Sequence, residues 1–283
     1  VLIERWLDID GDKLYCLSTP IKDSRETLVF IHGLGESHLC FSEAIDWLPN
    51  YNLIMFDLCG YGYSPVSVIS HTTEIQAKRV LKALEQLNIN KCFLLGHSWG
   101  GDISTLICDY DKKSVVCGFI NAEGGLHAEN IILSQIIAEK YSALEKSEFS
   151  NWVKGDGFSK RFPMSWSHAA GINYLSSVRR CNPIVLGETA SEIYAQHSEQ
   201  DIRGVVGWGR VYESLTIPKV YFWGTQSLEG CSRAVEFIST LDNVSFKGAN
   251  HWVQNDPSNF YLEVDKFIGN VQKHYKTFKS SSS

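Results

Sequence analysis

The sequence predicts an α/β protein built on a mainly parallel sheet of eight strands, with helices on both faces and a helical lid insertion. Two observations carry this reading. Short, continuous apolar runs alternate with segments whose apolar residues recur every three to four positions, the signature of buried strands alternating with amphipathic helices. One long stretch, 126–216, breaks the alternation: it has helical periodicity and no run that reads as a buried strand.

The elements follow in order. ERWLDI and KLYCLST read as an opening hairpin with Asp10, Gly11 and Asp12 as its turn. TLVFIHG (27–33), NLIMFD (52–57), CFLLGHS (92–98), VVCGFINAE (115–123), KVYFWG (219–224) and NVSFKGA (243–249) are the parallel strands. Between them, Ala77, Val80, Leu81, Leu84 and Leu87 form one stripe of a helix over 72–87, with Thr73 and Gln76 fitting a capping box. Ile103, Leu106, Ile107 and Tyr110 stripe the helix after Ser98. Asp256 and Pro257 open a last helix as N-cap and first residue, with Phe260, Val264, Phe267, Ile268 and Val271 as its stripe. The insertion carries the helical segment ENIILSQIIAEKYSALEK and the aromatics Trp152, Phe158, Phe162, Trp166 and Trp208. An insertion at the carboxyl ends of parallel strands lies over the crevice where such sheets bind ligands. The expected division is a core of 1–125 and 217–275, a cap of 126–216 and a disordered tail of 276–283.

Bulk properties narrow the class. The chain has 283 residues, 44% hydrophobic and 20% charged, with a net charge of −6. That suits a globular protein with a sizeable core, and the lack of a basic run argues against nucleic acid as a partner. No apolar run has the roughly 18 residues of a membrane span. The opening VLIERWLDIDG has no basic-then-apolar signal pattern, and the missing Met and the SSS end read as a trimmed chain. The eight cysteines contain no CxxC pair and no zinc spacing, so they read as reduced thiols, mostly core filler, in a cytoplasmic protein.

The stretch LLGHSWGGD carries the chemistry. A serine on a very tight turn between strand and helix sits in a strained backbone conformation, and the chain passes so close to itself that glycines are needed two residues to either side. Gly96 and Gly100 meet that need around Ser98, with an apolar strand before and an amphipathic helix after. The glycines of Gly33–Gly35 do not make a dinucleotide fingerprint, because no third glycine follows at Ser37 or His38.

Taken together, the chain resembles the α/β-hydrolase superfamily over nearly its full length. The residues that carry the resemblance are HGLGES (32–37), DLCGYGYS (57–64), GHSWGG (96–101) and GANHW (248–252), in the family's order and spacing. The resemblance implies Ser98 as nucleophile and His251 as base, with the backbone N–H groups of Leu34 and Trp99 as oxyanion donors. It gives Asp57 a structural role in its turn, and makes His32 and His97 hydrogen-bonding scaffold.

The acid departs from the pattern. Much of the superfamily places an Asp three residues beyond a Gly after the strand that follows the lid; here Gly224 is followed at that spacing by Ser227. Two carboxylates remain, with a dyad that lacks an acid as the third alternative. Glu123 ends the previous strand and precedes two glycines, as in the haloalkane dehalogenases; Glu229 lies on the later loop. Both strand ends flank the nucleophile's strand, and Glu123 is favoured because it is held at the sheet edge.

The resemblance implies acyl transfer to water, without metal or cofactor, on a small-molecule acyl substrate. Ester, thioester, lactone and C–C cleavage all stay open, as does a ligand-binding receptor of the same fold without turnover. A monomer or a homodimer fits equally.

Overall fold

The computed structural model describes residues 1–161 and 169–281. Eight strands form one sheet: β1 (Ile3–Ile9), β2 (Asp12–Ser18), β3 (Thr27–Ile31), β4 (Asn52–Asp57), β5 (Cys92–His97), β6 (Val116–Ala122), β7 (Lys219–Gly224) and β8 (Asn243–Phe246). Their spatial order is β1-β2-β4-β3-β5-β6-β7-β8. The first two pairings are antiparallel and the rest parallel. This is the sheet expected from sequence, with strand ends trimmed by one to three residues where the chain turns away at a glycine or a site residue.

The hairpin turn is shorter than expected. Asp12 already belongs to β2 and pairs with Ile9. That leaves Asp10 and Gly11 as a two-residue turn, both at positive φ (54° and 88°), the geometry that matches strand twist.

Helices cover both faces. α1 (Ala44–Trp47), α2 (Thr73–Gln86) and α3 (Trp99–Tyr110) follow β3, β4 and β5; α10 (Glu229–Phe237) and α11 (Pro257–Ser281) follow β7 and β8. Between β6 and β7 lie α4 (Ile132–Ala143), α5 (Lys146–Lys154), α6 (Asp156–Arg161), α7 (Ala169–Arg180), α8 (Pro183–His197) and α9 (Gly207–Ser214).

Strands β3, β4 and β5 are buried at every position, because side chains of alternate residues meet a helical layer on either face. Val29, Ile31, Leu94 and Phe56 pack with Ala77, Val80, Ile103 and Ile107 on one face. Leu28, Phe30, Leu95 and Met55 pack with Phe260, Val264 and Ile268 on the other. The insertion shares the first of these cores through Ile137, Phe149, Phe158 and Val185.

Two expectations need correcting. The cap of α2 is Thr72, whose side chain accepts from Ile75 N–H, and not Thr73. Thr73 is engaged elsewhere: its N–H and Oγ1–H both donate to Glu192, and Gln76 reaches Cys59. The second concerns the chain end, where helical backbone continues to Ser281, past the expected start of a tail at 276. The Asp256 cap holds, with Oδ1 accepting from Asn259 N–H at 3.3 Å. Phe162 and Trp166 lie outside the described residues. All eight cysteines are free thiols.

Candidate active site

Ser98 stands between β5 and α3 with φ 53° and ψ −126°. That backbone region is costly for a residue with a Cβ and persists only where surroundings over-determine it. Here they do. Ser98 N–H donates to Ala122 O at 2.8 Å, and its carbonyl accepts from Gly101 N–H at 2.7 Å. A Cβ on Gly96 would run into the Gly100 carbonyl; one on Gly100 would run into Ile31 O and sit 2.7 Å from His32 O. A Cβ on Gly33 would lie 2.9 Å from the Cβ of Ser98. These close approaches explain the glycine spacing that marks the turn in sequence.

Glu123 follows β6 and also has a positive φ, 61°, rare for a residue with a long side chain. Its N–H donates to Phe222 O at 2.9 Å, which ties the strained residue to β7. Its carboxylate, wholly buried, gathers four donors. Oε1 accepts from Gly224 N–H at 2.5 Å. Oε2 accepts from Ser227 Oγ, from Cys231 Sγ at 3.0 Å and from His251 Nδ1 at 3.1 Å. Burial first, and the Glu123 charge second, push the Cys231 thiol well above its ordinary value, so it stays an S–H donor.

Ser227, the residue at the usual acid position, is thus a donor to the carboxylate that reaches His251. Glu229 is not brought there. It is the first residue of α10, its side chain is 67% exposed, and it pairs with Arg233 Nη2 at 3.2 Å.

A second buried pair supports the same loop. His97 Nδ1 meets Glu36 Oε2 at 2.9 Å, and His97 Nε2 donates to the carbonyl of His251 at 2.9 Å. Glu36 also accepts from Gly33 N–H at 2.7 Å and from Trp252 Nε1–H at 3.0 Å. Burial by itself would raise the Glu36 carboxyl; the His97 charge and hydrogen bond and the Gly33 N–H outweigh it and hold the group at about 2. His97 is moved upward: burial opposes its charge, and Glu36 overcomes that. Glu36 and His97 therefore bridge the loop after β3 to the loop that carries His251.

His32 and Asp57 have scaffold contacts. His32 Nδ1–H donates to Gly33 O at 2.8 Å, and its Nε2 accepts from Leu58 N–H at 3.0 Å. Asp57 accepts from the N–H groups of His38 at 2.6 Å and Tyr63 at 2.8 Å.

Ser98, Glu123, His251, Leu34 and Trp99 line one cavity of about 190 Å³. Trp99 is the first residue of α3, where backbone N–H groups have no partner within the helix. Its indole is fixed by a bond to Thr73 Oγ1 at 2.9 Å. Much of the remaining wall is apolar and comes partly from the insertion, through Ile132, Leu133 and Ile193. Asp102 and His197 also face it, both 2% exposed. Sequence reading missed them, along with Glu36 and Cys231. Asp102 was accessible to it, standing in the first turn of the helix that Ser98 opens. His197 gives no local signal, because it enters from the insertion.

A serine at a strained strand–helix turn, on one cavity wall with a histidine bonded to a buried carboxylate, is an arrangement that fits the hydrolase class of α/β proteins. The family model for the alpha/beta hydrolase fold matches residues 26–228, and the chain belongs to that family.

Proline iminopeptidases are among the curated relatives. That of Lactobacillus delbrueckii subsp. lactis is 30% identical over 123 residues, 40% of this chain and 42% of that protein. That of Lactobacillus crispatus is 27% identical over 207 residues, 67% of this chain and 70% of that protein. The chain spans less than half the length of the curated relatives it matches first. Among solved structures, the epoxide hydrolase CorEH is similar with a TM-score of 0.75 at 16% identity, covering 96% of this chain and 100% of that one. A carboxylesterase of Nitrososphaera gargenis is similar with a TM-score of 0.73 at 18% identity, covering 95% and 100%. At these identities the structural likeness speaks for the fold alone.

Among the described residues no helix is long and apolar enough to cross a membrane.

Proposed function

We propose that the protein is a serine hydrolase that cleaves a carboxylic ester or a related acyl bond, such as a thioester or lactone, through an acyl-enzyme on Ser98. The observation that carries this is the bond between His251 Nδ1 and the buried Glu123 carboxylate, on a wall shared with the strained Ser98.

With Nδ1–H committed to Glu123, the neutral ring has its lone pair on Nε2, the nitrogen a base needs. In the proposed reaction His251 Nε2 takes the Ser98 hydroxyl proton as Oγ bonds to the carbonyl carbon. The N–H groups of Leu34 and Trp99 receive the oxyanion. Collapse breaks the bond to the leaving group, which takes the proton from His251. A water then attacks the acyl-serine, giving its proton to His251; the acid departs and Ser98 is reprotonated. Glu123 fixes the ring tautomer and stabilises the imidazolium throughout.

A serine in this role disfavours alkyl-ester chemistry of the dehalogenase or epoxide hydrolase kind, where a carboxylate attacks. The cavity, smaller than the roughly 300 Å³ at which drug-sized pockets begin, suits a short acyl group. In the proposed architecture, 126–216 is the cap over a core of 1–125 and 217–275.

The test is hydrolysis of p-nitrophenyl butanoate with acid-quench mass spectrometry. The proposal expects a butanoyl group on the peptide that holds Ser98, and loss of turnover in Ser98→Ala. Undiminished turnover in that variant would end the proposal.

A further inference from the structure

The cavity wall holds two buried titratable groups that the proposed reaction does not use, Asp102 and His197. His197 Nδ1 lies 2.8 Å from the carbonyl of Ile193, an acceptor only, so Nδ1 carries the hydrogen and Nε2 presents a bare lone pair. That Nε2 is buried and has no hydrogen-bond partner among the described residues. An orphaned buried acceptor is costly, and native proteins keep one where something else is meant to satisfy it.

Asp102 faces the same spot. A Cβ placed on Gly125 would stand 2.9 Å from His197 Nε2 and 3.1 Å from Asp102 Oδ2, so the two groups converge beside Gly125, where a side chain would crowd them. Asp102 Oδ1 accepts from Gly125 N–H at 2.8 Å. Among the described residues no cation faces the carboxyl. Its charged neighbour is Glu192, which accepts from Thr73. Burial first, with Glu192 adding to it, pushes Asp102 well above the usual carboxylate range against the Gly125 bond. Burial also lowers His197 to about 4, with a smaller contribution from His127. The wall therefore offers a carboxyl group beside an imidazole acceptor, in mostly apolar surroundings, with burial favouring the uncharged form of each.

We propose that Asp102 and His197 form a subsite that binds a hydroxyl group of the substrate, beside Gly125 on the wall of the cavity that also holds Ser98. A hydroxyl matches the pair because it donates to Nε2 and accepts from the carboxyl at once. Ser98 is the N-cap of α3 and Asp102 lies in its first turn, and both line the same cavity, which places the hydroxyl a few carbons from the carbonyl. The substrate class is thus a short hydroxyacyl ester. This inference rests on the serine hydrolase reading for the reaction, and not for the binding.

The test compares p-nitrophenyl 3-hydroxybutanoate with p-nitrophenyl 3-methylbutanoate, which differ by a hydroxyl in place of a methyl. Both kcat/KM in the wild type and Kd in Ser98→Ala are measured. The expected result is a preference for the hydroxy ester of at least about tenfold in each, since its absence leaves both wall groups unpaired. The ratio falls toward one in His197→Phe and in Asp102→Leu. It survives in Asp102→Asn, whose amide keeps an acceptor for Gly125 N–H and a donor at the Oδ2 position. Loss of the preference in Asp102→Asn would show a charged carboxylate at work and overturn the proposal in favour of an ammonium-bearing substrate. Equal values for the two esters, in both kcat/KM and Kd, would overturn it outright. Should neither ester turn over while the Kd ratio stands, the subsite holds and the reading of Ser98 fails.

Discussion

Ser227 Oγ donates to Glu123 Oε2, the same oxygen that meets His251 Nδ1. The residue at the family's usual acid position is thus coupled to the carboxylate proposed to take its place. A serine there supplies a hydrogen where a second carboxylate would supply repulsion. The Gly224 N–H and the Cys231 thiol complete the arrangement, so the buried charge of Glu123 is fully hydrogen-bonded. Ser227→Ala is expected to lower kcat by roughly tenfold with little change in KM, the size of one hydrogen bond to a charged group. Steady-state kinetics on p-nitrophenyl butanoate checks it; an unchanged kcat would mean that Ser227 only fills space.

Glu123→Gln is expected to reduce kcat by about 10⁴-fold, the effect of removing the acid behind a catalytic histidine. Glu229→Gln, on an exposed side chain paired with Arg233, should leave kcat within about twofold, as surface pairs contribute little. The reverse ranking would move the acid to the later loop.

Glu36 and His97 form a buried pair beneath the His251 loop, and its pH dependence has a definite sign. Glu36 is depressed from 4.5 to about 2, so its contribution is present above 4.5 and fades as pH falls toward 2. His97 is raised from 6.5, so its contribution is present below 6.5 and fades as pH rises through its folded value. The stability difference between the wild type and Glu36→Gln should therefore peak between 4.5 and 6.5. Removing one partner of such a pair costs about 3–5 kcal/mol. Urea unfolding across that range measures it; a difference independent of pH would rule out an ion pair.

His197 has the opposite sign from His97. Its folded value is depressed from 6.5 to about 4, so the unfolded chain binds the extra proton in that window and stability is lost as pH falls through it. The loss is on the order of 3 kcal/mol when complete. His197→Phe should flatten this part of the unfolding curve. An unaltered slope would mean that His197 titrates as in an unfolded chain.

How far the sequence could be read depended on how local the cause was. The strand-and-helix alternation survives almost intact, because β3, β4 and β5 are buried on both faces and must be continuously apolar. The turn at Ser98 was legible through Gly96 and Gly100, whose missing side chains are required by backbone contacts within a few residues and with the neighbouring strand end. The α2 cap was misplaced by one residue because Thr73 has a competing partner, Glu192, that is 119 positions away. The same holds across the site. Glu123 could be favoured from its place at a strand end, while its bonds to Ser227 and Cys231 depend on where α10 packs. Glu36 and His97 were visible inside two motifs, but nothing local says that they meet. His197 comes from the insertion, so its place beside Asp102 emerges only when the helices close over the sheet.

The most direct test of the central claim is the intact mass after fluorophosphonate treatment of the wild type, Ser98→Ala, Glu123→Gln and Glu229→Gln. The account predicts one adduct on the wild type, none on Ser98→Ala, slow labelling of Glu123→Gln and wild-type labelling of Glu229→Gln. A folded wild type that takes no adduct, or a Ser98→Ala protein that still takes one, would contradict it.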